Sequence, residues 1–399
     1  MSTTLKDSAA LLQPGLRDLR RSLHQEPELG LHLPLTQARV LAALEGLPLE
    51  ISLGDGLSSV TAVLRGGRPG PAVLLRADMD ALPVQEAAAL PYASRFPGVM
   101  HACGHDLHVS ALVGAVRLLA ERREELPGSV VFMFQPGEEG DGGAQLMVDE
   151  GVLDAAGERV VAAYALHVAA AQLPAGWVAA RPGPIMAASD SMEAVLRGRG
   201  GHGSSPHLAL DPVPAACEAV LALQTMVTRR FDAFDPVVLT VGEFHAGSVC
   251  NVIPEQARFA ATIRSFSPQA RARVQEEALR VVRGIGAAHG LTVDAEIVPG
   301  YPVTVNDPEE AAFAESTVRQ LLGEERYFPL PNAIAGSEDF GILSELVPSA
   351  YVMFGACPAD RDPATAAYNH APEAEFDDTV LGDAAALLAQ LALGRLARG

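Results

Sequence analysis

The stretch "SVVFMFQPGEEG" (residues 129–140) joins an uninterrupted apolar run to a pair of glutamates directly behind it. The segments "PAVLLRADMD" (71–80) and "RVVAAYALHV" (159–168) also carry an apolar run with polar residues near its end. Continuous apolar runs separated by helical segments predict the strands of a parallel sheet that is buried on both faces. Ligands of open α/β sheets bind beyond the carboxyl ends of the strands, so we expect these polar groups to form a site.

Side chains of the types that bind metals follow these strands. They are Cys103, His105, Glu139, His167 and His370. Five ligands of mixed type are too many for one tetrahedral ion, but they suit two ions about 3.5–4 Å apart if one ligand bridges. A thiolate can bridge, and Cys103 is the only cysteine of the set. The pattern therefore favours a two-metal centre.

Each of these residues taken singly also has a purely structural explanation. His167 on an apolar strand is typical of a core histidine, and Cys103 could be a small buried apolar side chain. Only their joint occurrence at successive strand ends favours metal. We assign no ligand role to His101 and His108, which we expect behind the ligands or on a helix surface. Asp106 is interpreted as the N-cap of a helix over about 106–123.

The pattern of elements changes near residue 184. The segment 184–297 reads strand, helix, strand, strand, helix, strand, which is the ferredoxin-like βαββαβ order. We therefore predict an α/β protein whose mainly parallel-sheet domain (1–183 and 298–399) carries an inserted ferredoxin-like α+β domain (184–297). A chain of 399 residues is long enough for two such domains.

Composition narrows the class of protein. The net charge is −20, with 29 basic and 49 acidic residues, so nucleic acid and anionic membranes are poor partners. The N-terminal segment lacks the pattern of a signal peptide, and we see no apolar run near the roughly 18 residues that span a bilayer. The four cysteines are scattered and indicate no disulfide framework. We expect a soluble, cytoplasmic protein with reduced thiols.

The sequence resembles the M20 family of metallopeptidases and amidohydrolases, in the branch of hippurate hydrolases and indoleacetyl-amino-acid hydrolases. The resemblance rests on motifs that occur in order along the whole chain. They are "LRRSLHQEPELG" (19–30), "LLRADMDALPV" (74–84), "MHACGHDLH" (100–108), "FQPGEEGDGGAQLM" (134–147), "ALHV" (165–168), "GRGGHGSSPH" (198–207), "NVIP" (251–254), "TIRSF" (262–266), "GSEDF" (336–340) and "NHAPEAEFDD" (369–378).

The resemblance implies two divalent metal ions per chain, Mn²⁺ or Zn²⁺, with Co²⁺ or Ni²⁺ as alternatives. The five residues named above would be the ligands, with Cys103 bridging. Glu138 would be the general base that takes a proton from a metal-activated water. Asp80 would be a carboxylate behind the ligands that orients one of them. Asp78 stands where other M20 enzymes carry a metal-binding histidine, so we leave it out of the ligand set.

The resemblance also makes the inserted domain a lid and dimerisation domain. His202, Asn251 and Arg264 of the lid would contact the substrate, and the loop at Gly336 would line the carboxylate end of the pocket. A guanidinium suits a carboxylate because it can bind in bidentate fashion, although Arg264 could instead form a salt bridge within the lid. The implied assembly is a homodimer in which His202 reaches the partner's active site.

The expected function is metal-dependent hydrolysis of an N-acyl amino acid, N-acetyl, N-benzoyl or similar, to a carboxylic acid and a free amino acid. Three alternatives remain open. One is a dipeptidase or aminoacyl peptidase of the same family. Another is a thiol amidase with Cys103 as nucleophile and His105 as its base. The third is a metal-binding protein without catalysis, which would have no need of Glu138.

Overall fold

The computed structural model describes residues 4–398. The helices are α1 (Leu5–Gln25), α2 (Pro34–Leu44), α3 (His105–Ala120), α4 (Gly143–Asp149), α5 (Pro212–Arg230), α6 (Pro268–Ala288), α7 (Pro308–Leu321), α8 (Phe340–Leu346) and α9 (Leu381–Leu396). The strands are β1 (Glu50–Leu53), β2 (Val60–Arg65), β3 (Arg68–Asp78), β4 (Pro127–Gln135), β5 (Ala162–Pro174), β6 (Val178–Ala180), β7 (Gly183–Met186), β8 (Ala188–Arg197), β9 (Gly201–His202), β10 (Val237–Ala246), β11 (Val252–Ile253), β12 (Gln256–Ser265), β13 (Thr292–Pro299), β14 (Thr304–Asn306), β15 (Tyr327–Pro329) and β16 (Ser349–Cys357).

The first of two compact units is built on an eight-stranded sheet in the order β1-β2-β4-β3-β5-β16-β6-β15. Strands β4, β3, β5 and β16 run parallel to one another, whereas β1 and β2 are antiparallel to their neighbours. The apolar runs that predicted this sheet are buried almost throughout, as expected for strands covered on both faces. The α/β class and the mainly parallel core are confirmed.

Helix α9 lies in the interior of this unit, against α1 and α3 and against β3, β4 and β5. Among residues 4–398, the stretch Asp378–Leu396 is the one helix with the length and composition of a membrane span, and 67% of that stretch is buried within the protein. The prediction that no apolar run approaches this length was therefore wrong. A helix surrounded by other elements is apolar on every side, which sequence composition cannot distinguish from a span.

The second unit comprises Met186–Thr304 and Ala333–Glu338. Its antiparallel sheet has the order β10-β12-β8-β13, and α5 and α6 pack on it. This is the predicted ferredoxin-like arrangement. Apolar side chains such as Ala219, Phe259 and Val282 fill the space between helices and sheet. The unit also takes in residues 298–304 and Ala333–Glu338, which the predicted boundaries assigned to the catalytic domain.

Candidate metal centre

The candidate ligands lie at the carboxyl ends of the parallel strands. Strand β3 ends at Asp78, opposite Gln135, the last residue of β4. Glu138 and Glu139 follow β4 in the next turn, and His167 lies within β5. Parallel strands end at the same edge of a sheet, so residues far apart in the chain meet there.

The imidazoles of this cluster present the same ring nitrogen. Nδ1 of His105 lies 2.8 Å from the Asp80 carbonyl oxygen, and Nδ1 of His167 lies 2.8 Å from the Val168 carbonyl oxygen. A carbonyl oxygen can only accept a hydrogen bond, so Nδ1 carries the proton in both rings. In the neutral form of each ring, Nε2 therefore carries the lone pair that can bind a metal.

The ligand atoms form two groups that share the Cys103 thiol. In one group, His167 Nε2 lies 3.3 Å from Cys103 Sγ, and His105 is the third member. In the other, His370 Nε2 lies 3.2 Å from the same sulfur and 3.4 Å from Glu139 Oε1. The structure thus brings all five predicted ligands together in two triads, and Cys103 stands where the bridging ligand is expected.

One buried atom shows that the cluster fits a cation. Nε2 of His105 is fully buried without a hydrogen bond, and its nearest carboxylate oxygens, on Asp78 and Glu139, are 3.7 and 3.9 Å away. A buried ring nitrogen without a partner is costly unless something binds it. Imidazole, thiolate and carboxylate together match the ligand preferences of Zn²⁺ and other first-row divalent ions.

The charges in the cluster are strongly coupled. Burial alone would raise the pKa of Cys103, but His167, His105 and His370 together hold it well below its ordinary value. Burial opposes the charge on His167, yet the thiolate raises the pKa of that ring to about 9. Hydrogen bonds to Cys103 and Glu139 raise the pKa of His370 to about 10. Without metal the protons take the place of cations, so metal binding must release them.

Asp80 contacts both the Glu138–Glu139 turn and the His105 ring, through different atoms. Its carboxylate accepts hydrogen bonds from the backbone N–H groups of Glu138 and Glu139, at 2.9 and 3.0 Å. Its backbone carbonyl, and not its side chain, orients His105. The Asp80 carboxylate was expected to orient a single ligand. It instead fixes the turn that carries both Glu138 and Glu139.

Asp78 and His108 belong to a buried polar network behind the ligands. Nδ1 of His108 lies 2.5 Å from the Asp78 carboxylate, and Nε2 accepts a hydrogen bond from Val168 N–H. Arg76 binds the other Asp78 oxygen and also Asp339, at 2.5 and 2.7 Å. His108 is 1% exposed. It therefore does not lie on a helix surface, which was one of the two positions expected for it. The network balances the negative charge of the Asp78 carboxylate and fixes the strand next to His167.

His101 is also buried, directly before the Cys103 turn. Neither of its ring nitrogens has a hydrogen-bond partner in the described part of the chain. Burial lowers the pKa of His101 to about 4, so the ring is neutral at physiological pH. His101 belongs to none of the groups of potential ligand atoms in the described residues.

The interpretation of Asp106 as an N-cap was wrong. Helix α3 begins at His105, and its N-cap is Gly104 with a φ of 84°. A Cβ at that glycine would lie 2.4 Å from Val168 Cγ2, so the close turn requires glycine. The helix also ends at Ala120, before the predicted end at 123. Asp106 is instead fully buried inside the first turn of the helix.

The partners of Asp106 come from α1. Its Oδ2 lies 2.7 Å from Arg20 Nε and 2.8 Å from His24 Nδ1, and all three side chains are fully buried. The other ring nitrogen of His24 lies 3.1 Å from Glu86. Burial would raise the pKa of Asp106, but Arg20 and His24 hold it far below its ordinary value. This cluster anchors the start of the helix that carries His105.

Replacing Asp106 with Asn is expected to lower the free energy of unfolding by about 3–5 kcal/mol, because the buried Arg20 would lose its nearest counter-charge, at 2.7 Å, and keep only Asp378, at 3.7 Å. The stabilisation by the Asp106 carboxylate is fully present above the ordinary carboxyl pKa and is lost as the pH falls towards the lowered folded pKa. Urea denaturation of wild type and variant measures both effects. Asp18→Asn is the control: Asp18 is 71% exposed beside Arg17, and no measurable change is expected. An equally small change for Asp106→Asn would contradict this role.

The four predicted substrate residues lie in the second unit. His202 of β9 and Asn251, just before β11, lie on one two-stranded ribbon, where Gly203 N–H donates to the Asn251 carbonyl. Nδ1 of His202 accepts from Ser204 N–H at 3.1 Å, so the neutral ring carries its proton on Nε2. Arg264 lies on β12, and the Gly336 carbonyl accepts from Ala187 N–H at 2.9 Å.

Comparison with known proteins agrees with this geometry. Residues 74–394 match the sequence profile of peptidase family M20/M25/M40. The chain is 37% identical to IAA-amino acid hydrolase ILR1-like 4 of Arabidopsis thaliana over 94% of this chain and 84% of that protein. It is 35% identical to N-acetylcysteine deacetylase of Bacillus subtilis (strain 168), over 95% and 96% of the two chains.

A solved structure has the same fold. The YXEP protein of Bacillus subtilis, described as a dinuclear metal-binding peptidase from the M20 family, superposes with a TM-score of 0.84 at 32% identity, over 97% of this chain and 99% of that one. The sheet-edge cluster and these likenesses together define a metal-dependent hydrolase of amide bonds. The chain belongs to the M20 peptidase family, in its amidohydrolase branch.

Proposed function

We propose that the protein hydrolyses N-acyl amino acids, such as N-acetyl, N-benzoyl or indoleacetyl derivatives, to a carboxylic acid and a free amino acid. The observation that carries this proposal is the pair of ligand triads that share Cys103, with Glu138 in the same cluster as His105 and Glu139. Two divalent ions bound by these residues, Mn²⁺ or Zn²⁺ and otherwise Co²⁺ or Ni²⁺, would act as Lewis acids and lower the pKa of water.

Glu138 is proposed as the general base. Its side chain is buried, 6% exposed, and its backbone N–H is fixed by the Asp80 carboxylate. A carboxylate held in this way can take a proton from water and deliver it to the leaving nitrogen. Glu139, the next residue, lies 3.4 Å from His370 and is proposed as a ligand. The same turn would then provide a ligand and a base side by side.

The second unit is proposed to recognise the substrate. Nη1 of Arg264 is buried without a hydrogen-bond partner, and a substrate carboxylate would supply one. This orphaned donor favours the substrate role over the salt bridge within the lid. His202, whose Nε2 carries the proton, can donate to the oxygen that gains charge in the transition state. Asn251 and the Gly336 loop are proposed to line the same pocket.

A substrate panel tests the proposed substrate class. N-acetyl, N-benzoyl and indoleacetyl amino acids are assayed beside dipeptides with Mn²⁺, Zn²⁺, Co²⁺ and Ni²⁺ in turn. The highest kcat/KM is expected for an N-acylated amino acid with a free carboxylate. The relative described as a peptidase keeps the alternative of peptide cleavage open, and a preference for dipeptides with a free amine would favour it.

Removal of metal is expected to abolish activity. Dialysis against a chelator should leave no measurable turnover, and re-addition of Mn²⁺ or Zn²⁺ should restore it, because the proposed reaction needs bound ions. The measurement is turnover together with elemental analysis of the same samples. Full activity in a sample shown to be metal-free would favour the thiol amidase, in which Cys103 is the nucleophile.

A homodimer formed through the lid units is also proposed, with His202 of each chain acting in the partner's site. Inactive Glu138→Ala and His202→Ala chains are mixed and allowed to exchange. Random exchange makes about half of the dimers mixed, and each mixed dimer has one intact composite site, so roughly a quarter of all sites should recover. No recovery after proven exchange would show that His202 acts within its own chain.

A cytoplasmic location remains a prediction from the sequence.

A further inference from the structure

The side chain of Asn369 connects the segments that carry three of the candidate ligands. Its Nδ2 donates to the Cys103 carbonyl at 3.2 Å and to the Val168 carbonyl at 2.9 Å. Its Oδ1 accepts from Ala170 N–H at 2.9 Å. Asn369 itself precedes His370 in the chain. One amide group therefore ties the Cys103 turn, the His167 strand and the His370 loop to one another.

The His370 loop needs such a constraint. His370 has a φ of 72°, in the left-handed region that residues other than glycine seldom adopt. Its side chain is 54% exposed, so packing alone does not hold it. The backbone here is held by two backbone bonds, from His370 N–H to the Ala102 carbonyl at 2.8 Å and from Ala371 N–H to the Tyr368 carbonyl at 3.0 Å. The three bonds of Asn369 are the side-chain contribution. Strained conformations of this kind persist only where the surroundings over-determine them.

We propose that Asn369 is a positioning residue, which holds His370 and the Cys103 turn so that the second triad of Cys103, Glu139 and His370 is formed before metal arrives. The inference rests on the proposed metal centre. The Val168 carbonyl links it to the first triad as well, because that oxygen also fixes the tautomer of His167. A preformed ligand set binds metal more tightly because less has to be ordered on binding.

The test is a titration of the metal-free protein with Co²⁺. Binding is monitored by calorimetry and by the thiolate-to-cobalt charge-transfer absorption. In Asn369→Ala the affinity for one of the two ions is expected to fall about 10–100-fold, the usual effect of removing a group that orients ligands. Asn369→Asp keeps the acceptor for Ala170 N–H but loses both donors. It also turns a negative charge towards two carbonyl oxygens and the Cys103 sulfur, so a larger loss is expected.

Gln13→Ala is the matched control. Gln13 is a half-buried amide that also joins backbone groups, donating to the Asp378 carbonyl and accepting from Gly382 N–H, both at 2.7 Å. Its loss should lower the melting temperature of the metal-free protein and leave both Co²⁺ affinities unchanged. If Asn369→Ala behaves in the same way, Asn369 is only structural and the inference is overturned. If the wild type itself binds no Co²⁺, the proposed function fails first.

Discussion

Glu138→Ala should bind the same number of metal ions as the wild type and turn over its substrate roughly 10²–10⁴-fold more slowly, the usual contribution of a positioned base. The reason lies in the geometry of one turn. The Asp80 carboxylate binds the backbone of Glu138 and Glu139 through separate oxygens, so the turn keeps its shape when one side chain is removed. The five proposed ligands are left intact by this change.

Glu139→Ala is the matched comparison for this prediction. It removes a carboxylate from the adjacent position, where the side chain lies 3.4 Å from His370. This variant should lose about one ion per chain, as expected when a ligand and not a base is deleted. Elemental analysis and steady-state kinetics on both variants separate the roles. Near-normal turnover in fully metallated Glu138→Ala protein would refute the assignment of the base.

Cys103→Ala should lose at least one of two ions per chain, and nearly all activity with it. Cys103 is the one residue shared by the two triads, at 3.3 Å from His167 and 3.2 Å from His370. Removing a shared ligand would weaken both positions at once, and it would also remove a negative charge that reduces the repulsion between two bound cations. The measurement is metal content after dialysis against metal-free buffer, with turnover of the same sample.

Cys357→Ala provides the control for this experiment. Cys357 is the other buried free cysteine, at the end of β16, and it belongs to neither triad. Its replacement should leave metal content and turnover unchanged and cost only a little stability, because a small buried side chain is shortened. If Cys103→Ala keeps both ions but loses all activity, Cys103 is a nucleophile and the thiol amidase reading is correct.

The amino-acid sequence determined the class of the fold and the set of residues that meet at one sheet edge. Both follow from local patterns. Apolar runs such as 129–134 predict buried parallel strands, and such strands must end at a common edge. The residues that follow the strands are then neighbours in space whatever their separation in the chain. For this reason Cys103, Glu139 and His167 could be grouped before any contact was known.

The tertiary structure alone decided what holds those residues. Asp106 looks like an N-cap in a local window, but it pairs with Arg20 and His24, 82 or more positions away. Asn369 reaches Cys103 across 266 positions. No periodicity records such pairings, because a buried charge or amide is satisfied by whichever group packing brings within about 3 Å. Strand and helix periods describe one element at a time, whereas buried polar contacts depend on how several elements pack together.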